Sequence, residues 1–296
     1  MPSAKANGIE LEYDSFGAPA GQPLLLINGL GMQMVAWEVE FCELLAEAGP
    51  FHVIRFDNRD CGLSTRFDER GVPDVMGVMT GQASPAYTIE DMADDAAGLL
   101  DALGIKGANV VGFSMGGAIA QTLAITHPSK VLSLTSISSG PGGIREDERS
   151  TPEAAAVLFK TPPDDREGLI DHGVELVRVL QGSDYFDEVE ARKARTRAVD
   201  RSVNAAGTAR QLGAVFASAA RDKEEELGRL HVPTLIIHGE IDPLVPVAAG
   251  RRTAAAIAGT RLLLFPLMGH GLPKQLWPEI TTAIAENARR STTLKT

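Results

Sequence analysis

The chain has 296 residues, 44% of them hydrophobic, and a formal net charge of −11 at pH 7. This acidic balance argues against nucleic-acid phosphates and anionic membrane surfaces as partners. We also expect no membrane span, because the apolar runs are far shorter than the roughly 20 residues that a membrane helix needs. Cys42 and Cys61 are too few for a disulfide framework or a cysteine metal site. We expect both to be free thiols in a cytoplasmic protein.

Short apolar runs bounded by glycine or proline recur along the chain. Such runs are typical of strands in a parallel sheet that is covered on both faces. They predict strands at residues 9–16, 23–27, 52–56, 109–113, 131–135, 234–237 and 261–265.

Helical patterns over residues 37–48, 88–103 and 114–126 separate the early strands. Thr88 is placed to cap the start of the second helix, and Gly104 is placed to end it. Strands and helices that alternate in this way predict right-handed βαβ units and a doubly wound α/β sheet.

The alternation stops near residue 141 and resumes at Val232. Between these points the pattern is helical: Thr151 and Pro152 mark a helix start, and residues 187–201 and 209–230 suit further helices. We therefore predict a core of residues 1–140 and 231–296, divided by a helical insertion over residues 141–230. The insertion is expected to supply none of the catalytic groups.

The strongest functional signal is the segment Gly112-Phe113-Ser114-Met115-Gly116, which fits G-x-S-x-G between a predicted strand and a predicted helix. The glycines are needed because side chains two residues either side of the serine would collide with neighbouring backbone. The turn lifts the hydroxyl above the sheet edge at a helix N-terminus, which favours developing negative charge. We predict Ser114 to be a nucleophile; the alternative is a glycine-rich structural turn.

A serine hydroxyl needs an adjacent base, and in this arrangement an acid and then a histidine follow the serine along the chain. His270 lies in the loop after the last predicted strand, where open α/β sheets place functional residues. We predict His270 to be the base. The other histidines are expected to be surface or packing residues: His127, His172, His231 and His238.

The acid that orients His270 is expected in the loop after the preceding strand. Asp242 and Glu240 both lie there. Asp242 is favoured because Pro243 fixes the turn behind it and aspartate is the commoner partner in this role, while Glu240 remains the alternative.

An oxyanion hole needs two preorganised N–H donors. The first is expected to be the backbone N–H of Met115, the residue after the nucleophile. The second is expected from the glycine-rich loop after the strand at 23–27, where Leu30 is predicted and Gly29 is the alternative.

The charged stretch Asp57, Arg59 and Asp60 is predicted to brace a loop beside the nucleophile turn rather than to form a second site. The sequence has no G-x-G-x-x-G after a strand, no P-loop and no H-E-x-x-H. Neither a nucleotide nor a metal is therefore predicted.

Together these motifs resemble the α/β-hydrolase superfamily over the full length of the chain. Two longer segments, Gly29-Leu30-Gly31-Met32-Gln33 and residues 52–60, resemble bacterial esterases of the aclacinomycin methylesterase type and related serine macrolide esterases. Many members have His-Gly at the oxyanion loop, where this chain has Asn28-Gly29. The resemblance implies an eight-stranded, mostly parallel sheet, a helical lid inserted after the sixth strand, and no cofactor. The motifs that carry it are Asn28-Gly29, Asp57-x-Arg59-x-x-Gly62-x-Ser64, Gly112-x-Ser114-x-Gly116-Gly117, Gly239-x-x-Asp242 and Gly269-His270.

We predict that the enzyme hydrolyses carboxylic esters through an acyl-enzyme, with a small molecule such as a bulky ester or a macrolactone as substrate. Three alternatives remain open: peracid formation by a cofactor-free haloperoxidase, hydrolysis of C–C bonds in diketones, and ligand binding by a receptor with vestigial hydrolysis. The oligomeric state is not predicted.

The substrate pocket is predicted to be largely apolar, because such pockets bind small molecules and flexible methionines tolerate varied ligands. Its expected lining is Gly29, Met32, Phe113 and Leu244, with Met76 and Met79 as further candidates. Apolar residues of the insertion are expected to set the choice among bulky esters: Leu158, Phe159, Val179, Phe186, Leu212 and Phe216.

Overall fold

The computed structural model describes residues 2–293, with side chains described as far as Ser291. Its eight strands form one sheet in the order β1-β2-β4-β3-β5-β6-β7-β8. Strand β2 is antiparallel to β1 and β4, and the other neighbouring pairs are parallel. The predicted, mostly parallel α/β sheet is confirmed. Its strands are β1 (Ser3–Ala6), β2 (Ile9–Phe16), β3 (Gln22–Ile27), β4 (Phe51–Phe56), β5 (Ala108–Phe113), β6 (Val131–Ile137), β7 (Thr234–Gly239) and β8 (Arg261–Phe265).

Strand β1 is the one strand that the apolar runs did not locate. It pairs with β2 through a two-residue turn, in which Asn7 and Gly8 both have positive φ angles of 48° and 81°. An Asn-Gly pair is the residue combination that such a tight hairpin turn favours. The sequence therefore contained the signal for this hairpin, in the turn rather than in the strand.

The two faces of the sheet are covered by different helices. Side chains alternate between faces along a strand, so Leu25 and Ile27 of β3 join one buried cluster and Leu24 and Leu26 join the other. The first cluster contains α3 and α4, and the second contains α1 and α11. The helices are α1 (Val39–Ala48), α2 (Val75–Met79), α3 (Ile89–Ala102), α4 (Met115–Thr126), α5 (Pro152–Phe159), α6 (Arg166–Gln181), α7 (Glu188–Arg201), α8 (Ala205–Ala219), α9 (Glu224–Leu227), α10 (Val247–Ala256) and α11 (Trp277–Thr293).

Helices α5 to α9 occupy the chain between β6 and β7, where the helical insertion is predicted. Helix α6 is an element that the sequence pattern did not identify, and the predicted helix at 209–230 is divided into α8 and α9. The division of the chain at residues 141 and 230 stays a prediction. Met1 and residues 294–296, which the predicted core includes, lie outside the described residues.

Buried ion pairs join the insertion helices to the core. Arg210 of α8 bonds to both carboxylate oxygens of Asp60, and both side chains are fully buried. Burial alone would raise the pKa of Asp60, but hydrogen bonds from Arg210, the Phe67 amide and Tyr87 outweigh it and lower that pKa. Arg201 of α7 pairs with Asp57 at 2.7 Å. These contacts confirm that the charged stretch braces its loop.

Cys42 and Cys61 are buried free thiols. Burial raises the pKa of Cys42 to about 12 and that of Cys61 further, so neither is a thiolate at neutral pH. Within residues 2–293, none of the helices is long and apolar enough to cross a bilayer.

Candidate active site

Ser114 sits between β5 and α4 in a backbone conformation that L-residues rarely adopt, with φ 56° and ψ −118°. Its own N–H donates to the carbonyl of Ile137 at the end of β6, at 2.8 Å. A residue in such a region persists only where its surroundings hold it there. The turn therefore fixes the direction of the Ser114 hydroxyl before any ligand binds.

The glycines around Ser114 are required by close backbone approaches. A Cβ on Gly112 would collide with the carbonyl oxygen of Gly116, and a Cβ on Gly116 would collide with the carbonyl oxygen of Ile27. The predicted steric reason for these two glycines is confirmed. It also brings the start of α4 against the end of β3, where the oxyanion loop begins.

His270 bonds to Ser114 on one side and to Asp242 on the other. Its Nε2 lies 2.9 Å from Ser114 Oγ, and its Nδ1 lies 2.8 Å from Asp242 Oδ2. Because an ionised carboxylate only accepts hydrogen bonds, the ring proton is on Nδ1. Nε2 is then the acceptor that a base for the Ser114 hydroxyl needs.

The Asp242 carboxylate is held by its own loop. Its Oδ1 accepts the backbone N–H groups of Leu244 and Val245, both at 2.9 Å, while Oδ2 faces His270. Glu240 instead lies at the surface, where it pairs with Arg251 at 2.9 Å. Of the two carboxylates considered from the sequence, Asp242 is the one in contact with His270.

A second histidine supports the Asp242 loop. His238 is buried, and its Nε2 lies 2.7 Å from the Val245 carbonyl and 3.6 Å from Asp242 Oδ2. Burial lowers the pKa of His238 despite the nearby Asp242 carboxylate. The ring is therefore neutral at pH 7 and holds the loop without adding charge beside Asp242, as suits its prediction as a packing residue.

The loop after β3 turns sharply at Gly29 to Met32. The Met32 N–H donates to the Gly29 carbonyl at 3.2 Å, and Gly31 has a φ of 64°. In a planar trans peptide the N–H points opposite to the carbonyl, so the Leu30 N–H points out of this turn. Gly29 lies against Ser114, since a Cβ there would be 3.3 Å from Ser114 Cβ.

Met115 is the first residue of α4, where backbone N–H groups have no partner within the helix. Among the described residues, neither the Met115 N–H nor the Leu30 N–H has a hydrogen-bond acceptor. The two predicted donors are thus free to bind an oxygen. Their assignment as an oxyanion hole stays a prediction.

The predicted pocket residues lie at different distances from Ser114 and His270. Phe113 packs its ring 5.2 Å from that of His270, and Met32 lies against Gly29. Leu244 packs with Ala154, Val157 and Leu180 of the insertion. Met76 and Met79 are exposed on α2, which packs against α8. Of this set, Gly29 lies against Ser114 and Phe113 against the His270 ring, while Met32 lies next to Gly29.

The His270 loop is hydrogen-bonded to the helical insertion, a contact that no sequence pattern predicts. The N–H groups of Gly269 and His270 donate to the carbonyls of Gln181 and Leu180, at 3.3 and 2.6 Å, where α6 ends. A Cβ on Gly269 would collide with the Leu180 carbonyl oxygen. The position of the His270 loop therefore depends on the end of α6.

The described residues hold no group of three or more His, Cys, Asp or Glu side chains that could bind a metal ion. Near the Ser114 hydroxyl lie the His270 imidazole, the Asp242 carboxylate and the two N–H groups that have no acceptor among the described residues. This set suits nucleophilic attack on a carbonyl and stabilisation of the resulting oxyanion.

Comparison with known proteins agrees with this arrangement. A family profile described as the alpha/beta hydrolase fold matches residues 22–273. Rhodomycin D methylesterase DauP of Streptomyces sp. strain C5 is 31% identical over 96% of both chains. Rhodomycin D methylesterase DnrP of Streptomyces peucetius is 30% identical over the same shares. The resemblance to bacterial methylesterases is confirmed by these relatives.

Among solved structures, the meta-cleavage product hydrolase CumD of Pseudomonas fluorescens IP01 superposes with a TM-score of 0.76. The match covers 98% of each chain at 23% identity. At that identity the likeness concerns the fold alone, and it extends over the core and the helices between β6 and β7.

The contrast between the two carboxylates gives a first test. In Asp242→Asn the amide can donate to His270 Nδ1 and leave the proton on Nε2, so kcat for p-nitrophenyl acetate should fall by about 10⁴-fold. Glu240→Gln removes only a surface ion pair, worth about 0–1 kcal/mol, and should change kcat less than about twofold. The reverse ranking would transfer the role to Glu240.

The bond between the His270 loop and α6 gives a second test. Gly269→Ala should push the loop away from the Leu180 carbonyl and lower kcat by about 10- to 100-fold, because small misplacements of a reacting group are costly. The matched control is Gly271→Ala, whose Cβ would meet only the flexible Gln181 side chain, at 3.3 Å. Equal kcat values for the two variants, measured with folded protein, would contradict this dependence.

Proposed function

Since the chain belongs to the α/β-hydrolase fold family, we propose that it hydrolyses carboxylic esters, with Ser114 as nucleophile, His270 as base and Asp242 as the acid that orients the base. The observation that carries the proposal is the hydrogen-bonded series Asp242–His270–Ser114, with the serine on a constrained turn at the start of a helix. The methylesterase relatives, at 30–31% identity over nearly the whole chain, support the same reaction class.

In the acylation step, Ser114 Oγ attacks the ester carbonyl carbon as its proton moves to His270 Nε2. The imidazolium that forms lies beside the buried Asp242 carboxylate, which stabilises it. The carbonyl oxygen becomes an oxyanion, and the N–H groups of Met115 and Leu30 donate to it. His270 then gives its proton to the departing alkoxide, and an acyl-Ser114 ester remains.

Deacylation repeats these steps with water as the nucleophile. His270 Nε2 takes a proton from water as the water oxygen attacks the acyl carbon, and it returns the proton to Ser114 Oγ as the carboxylic acid leaves. Helix α4 contributes throughout, because the positive end of its dipole lies at Met115, next to the oxyanion. The mechanism needs no group besides these residues and water.

The substrate class that we propose is the ester of a bulky, apolar small molecule, with methyl esters as the first candidates. The two methylesterase relatives support the methyl ester. The apolar residues Phe113 and Met32 beside the site support an apolar acyl group. A panel of test substrates should therefore contain bulky methyl esters, p-nitrophenyl acetate and a macrolactone, the other substrate considered from the sequence.

The nucleophile is tested by Ser114→Ala, which should fold and lose activity on p-nitrophenyl acetate by about 10⁴-fold or more, because triad members act as a unit. An organophosphonate should label wild-type protein at Ser114 alone. The matched control is Ser138→Ala, another buried serine with a positive φ, 48°, which should retain both turnover and labelling. Labelling of any other serine would refute the assignment.

Selection of bulky substrates is tested on two insertion phenylalanines, Phe159 of α5 and Phe216 of α8. Their rings stack across the two helices at 5.8 Å and 2°, and Phe159 is 45% exposed. Alanine at either position should lower kcat/KM for bulky methyl esters such as rhodomycin D by about 10-fold or more. Burial of a large apolar side chain against the substrate contributes a free energy of about 1.5–3 kcal/mol, and about 1.4 kcal/mol corresponds to a tenfold change. Turnover of p-nitrophenyl acetate should change less than about twofold.

The control for this pair is Phe186→Ala, a further candidate from the sequence that the structure places among packing contacts within the insertion. Phe186 packs with Ile170 and Val174 of α6, under the guanidinium of Arg178, so its loss should lower the melting temperature without changing the ranking of esters. Equal losses on small and bulky esters in Phe159→Ala and Phe216→Ala would show that this pair does not select the substrate.

A further inference from the structure

Gln211 of α8 is a fully buried side chain whose two polar atoms both bond to the backbone of the core. Its Oε1 accepts the Gly31 N–H at 2.8 Å, and its Nε2 donates to the Arg59 carbonyl at 2.7 Å. One amide thus connects an insertion helix, the loop after β4 and the turn that presents the Leu30 N–H. A buried polar side chain with both groups satisfied fixes a single geometry.

These bonds determine the orientation of Leu30. The peptide plane before it is held because the Gly29 carbonyl accepts the Met32 N–H. The plane after it carries the Gly31 N–H, which Gln211 holds. With both planes fixed, Leu30 has little freedom left to rotate its own N–H.

Gln211 itself is held in place by its neighbours. The adjacent Arg210 makes the buried bidentate pair with Asp60, which fixes α8 to the same loop that carries Arg59. Other contacts hold the far end of the loop after β3. There the Gln33 side chain donates to the carbonyl of Ala198, in α7, and to that of Ser202, directly after α7. Gln211 holds the Gly29–Met32 turn itself, through the Gly31 N–H.

We propose that Gln211 is a positioning residue for the oxyanion hole, acting through the Gly31 amide on the Leu30 N–H. The proposal rests on the proposed function, since it explains what holds the Leu30 N–H, one of the two proposed oxyanion donors, in its direction. It also changes the role of the insertion. The helices that were expected only to select substrates hold one half of the site that stabilises the transition state.

A positioning role and a purely structural role predict different kinetics. Oxyanion stabilisation acts on the transition state, so its loss lowers kcat while KM stays nearly constant, and small and bulky esters suffer equally. A trifluoromethyl ketone, which forms a tetrahedral adduct with a serine nucleophile, should lose affinity by the same factor. A structural role would lower the melting temperature and leave these ratios unchanged.

The test compares Gln211→Met, of similar length but without a hydrogen-bonding amide, with the wild-type protein. We expect kcat for p-nitrophenyl acetate to fall about 10- to 100-fold, somewhat less than the loss of a whole oxyanion donor, with KM changed less than about twofold. The inhibition constant of the trifluoromethyl ketone should rise by the factor by which kcat/KM falls. Gln211→Glu, which keeps an oxygen for the Gly31 N–H, should recover part of this loss.

The matched control is Asn204→Ser at the start of α8. It loses the hydrogen bond from Asn204 to the Asp60 carbonyl but keeps an oxygen for the Gly207 N–H, and it leaves Gly31 untouched. It should lower the melting temperature without changing kcat. If Gln211→Met does not fold, Gln211→Asn is used instead, since its shorter side chain withdraws the oxygen from Gly31 and predicts the same pattern of losses.

Unchanged kcat in a folded Gln211→Met or Gln211→Asn variant would overturn the proposal. So would a fall in kcat without a parallel loss of affinity for the trifluoromethyl ketone. A wild-type protein that turns over no ester of the panel would overturn the proposed function, and this proposal with it. The wild-type measurement therefore distinguishes the two failures.

Discussion

The site depends on one backbone constraint, the strained turn that holds Ser114 between β5 and α4. A residue in such a conformation costs about 1–3 kcal/mol, and here the surrounding backbone leaves no room for an alternative. The start of α4 packs so tightly against β5 and the end of β3 that only glycine fits at 112 and 116. The same close approach brings the loop after β3 to the serine. The strain and the geometry of the site therefore have one physical origin.

The parallel sheet supplies the remaining groups, because the loops after β3, β7 and β8 all leave its carboxyl edge. Each loop is then secured by a different partner. Asp242 is held by the amides of its own loop, His270 by the end of α6, and the turn at Leu30 by Gln211 of α8. The helices between β6 and β7 thus hold both the His270 loop and the turn at Leu30.

The sequence was sufficient to predict those features that depend on residues close together in the chain. Ser114 is marked by its glycines, and His270 and Asp242 by their place after predicted strands. The bonds of Gln211 and Gly269 could not be predicted, because they join segments about 90 to 180 residues apart, and a polar residue inside a helical pattern does not reveal its partner. Helix α6 was not identified, although its apolar residues recur at helical spacing and pack in two small clusters. Strand β1 has four residues, two of them polar, and only the Asn7-Gly8 turn marked it.

The central claim is that an acyl group is transferred to Ser114 during ester hydrolysis. Its most direct test is to quench the enzyme with acid during turnover of p-nitrophenyl pivalate, whose hindered acyl group slows deacylation, and to map the adduct by mass spectrometry of peptides. We expect a pivaloyl group on Ser114, formed at the rate of the initial p-nitrophenol release. Hydrolysis of the ester with no adduct, or with the pivaloyl group on another residue, would contradict it.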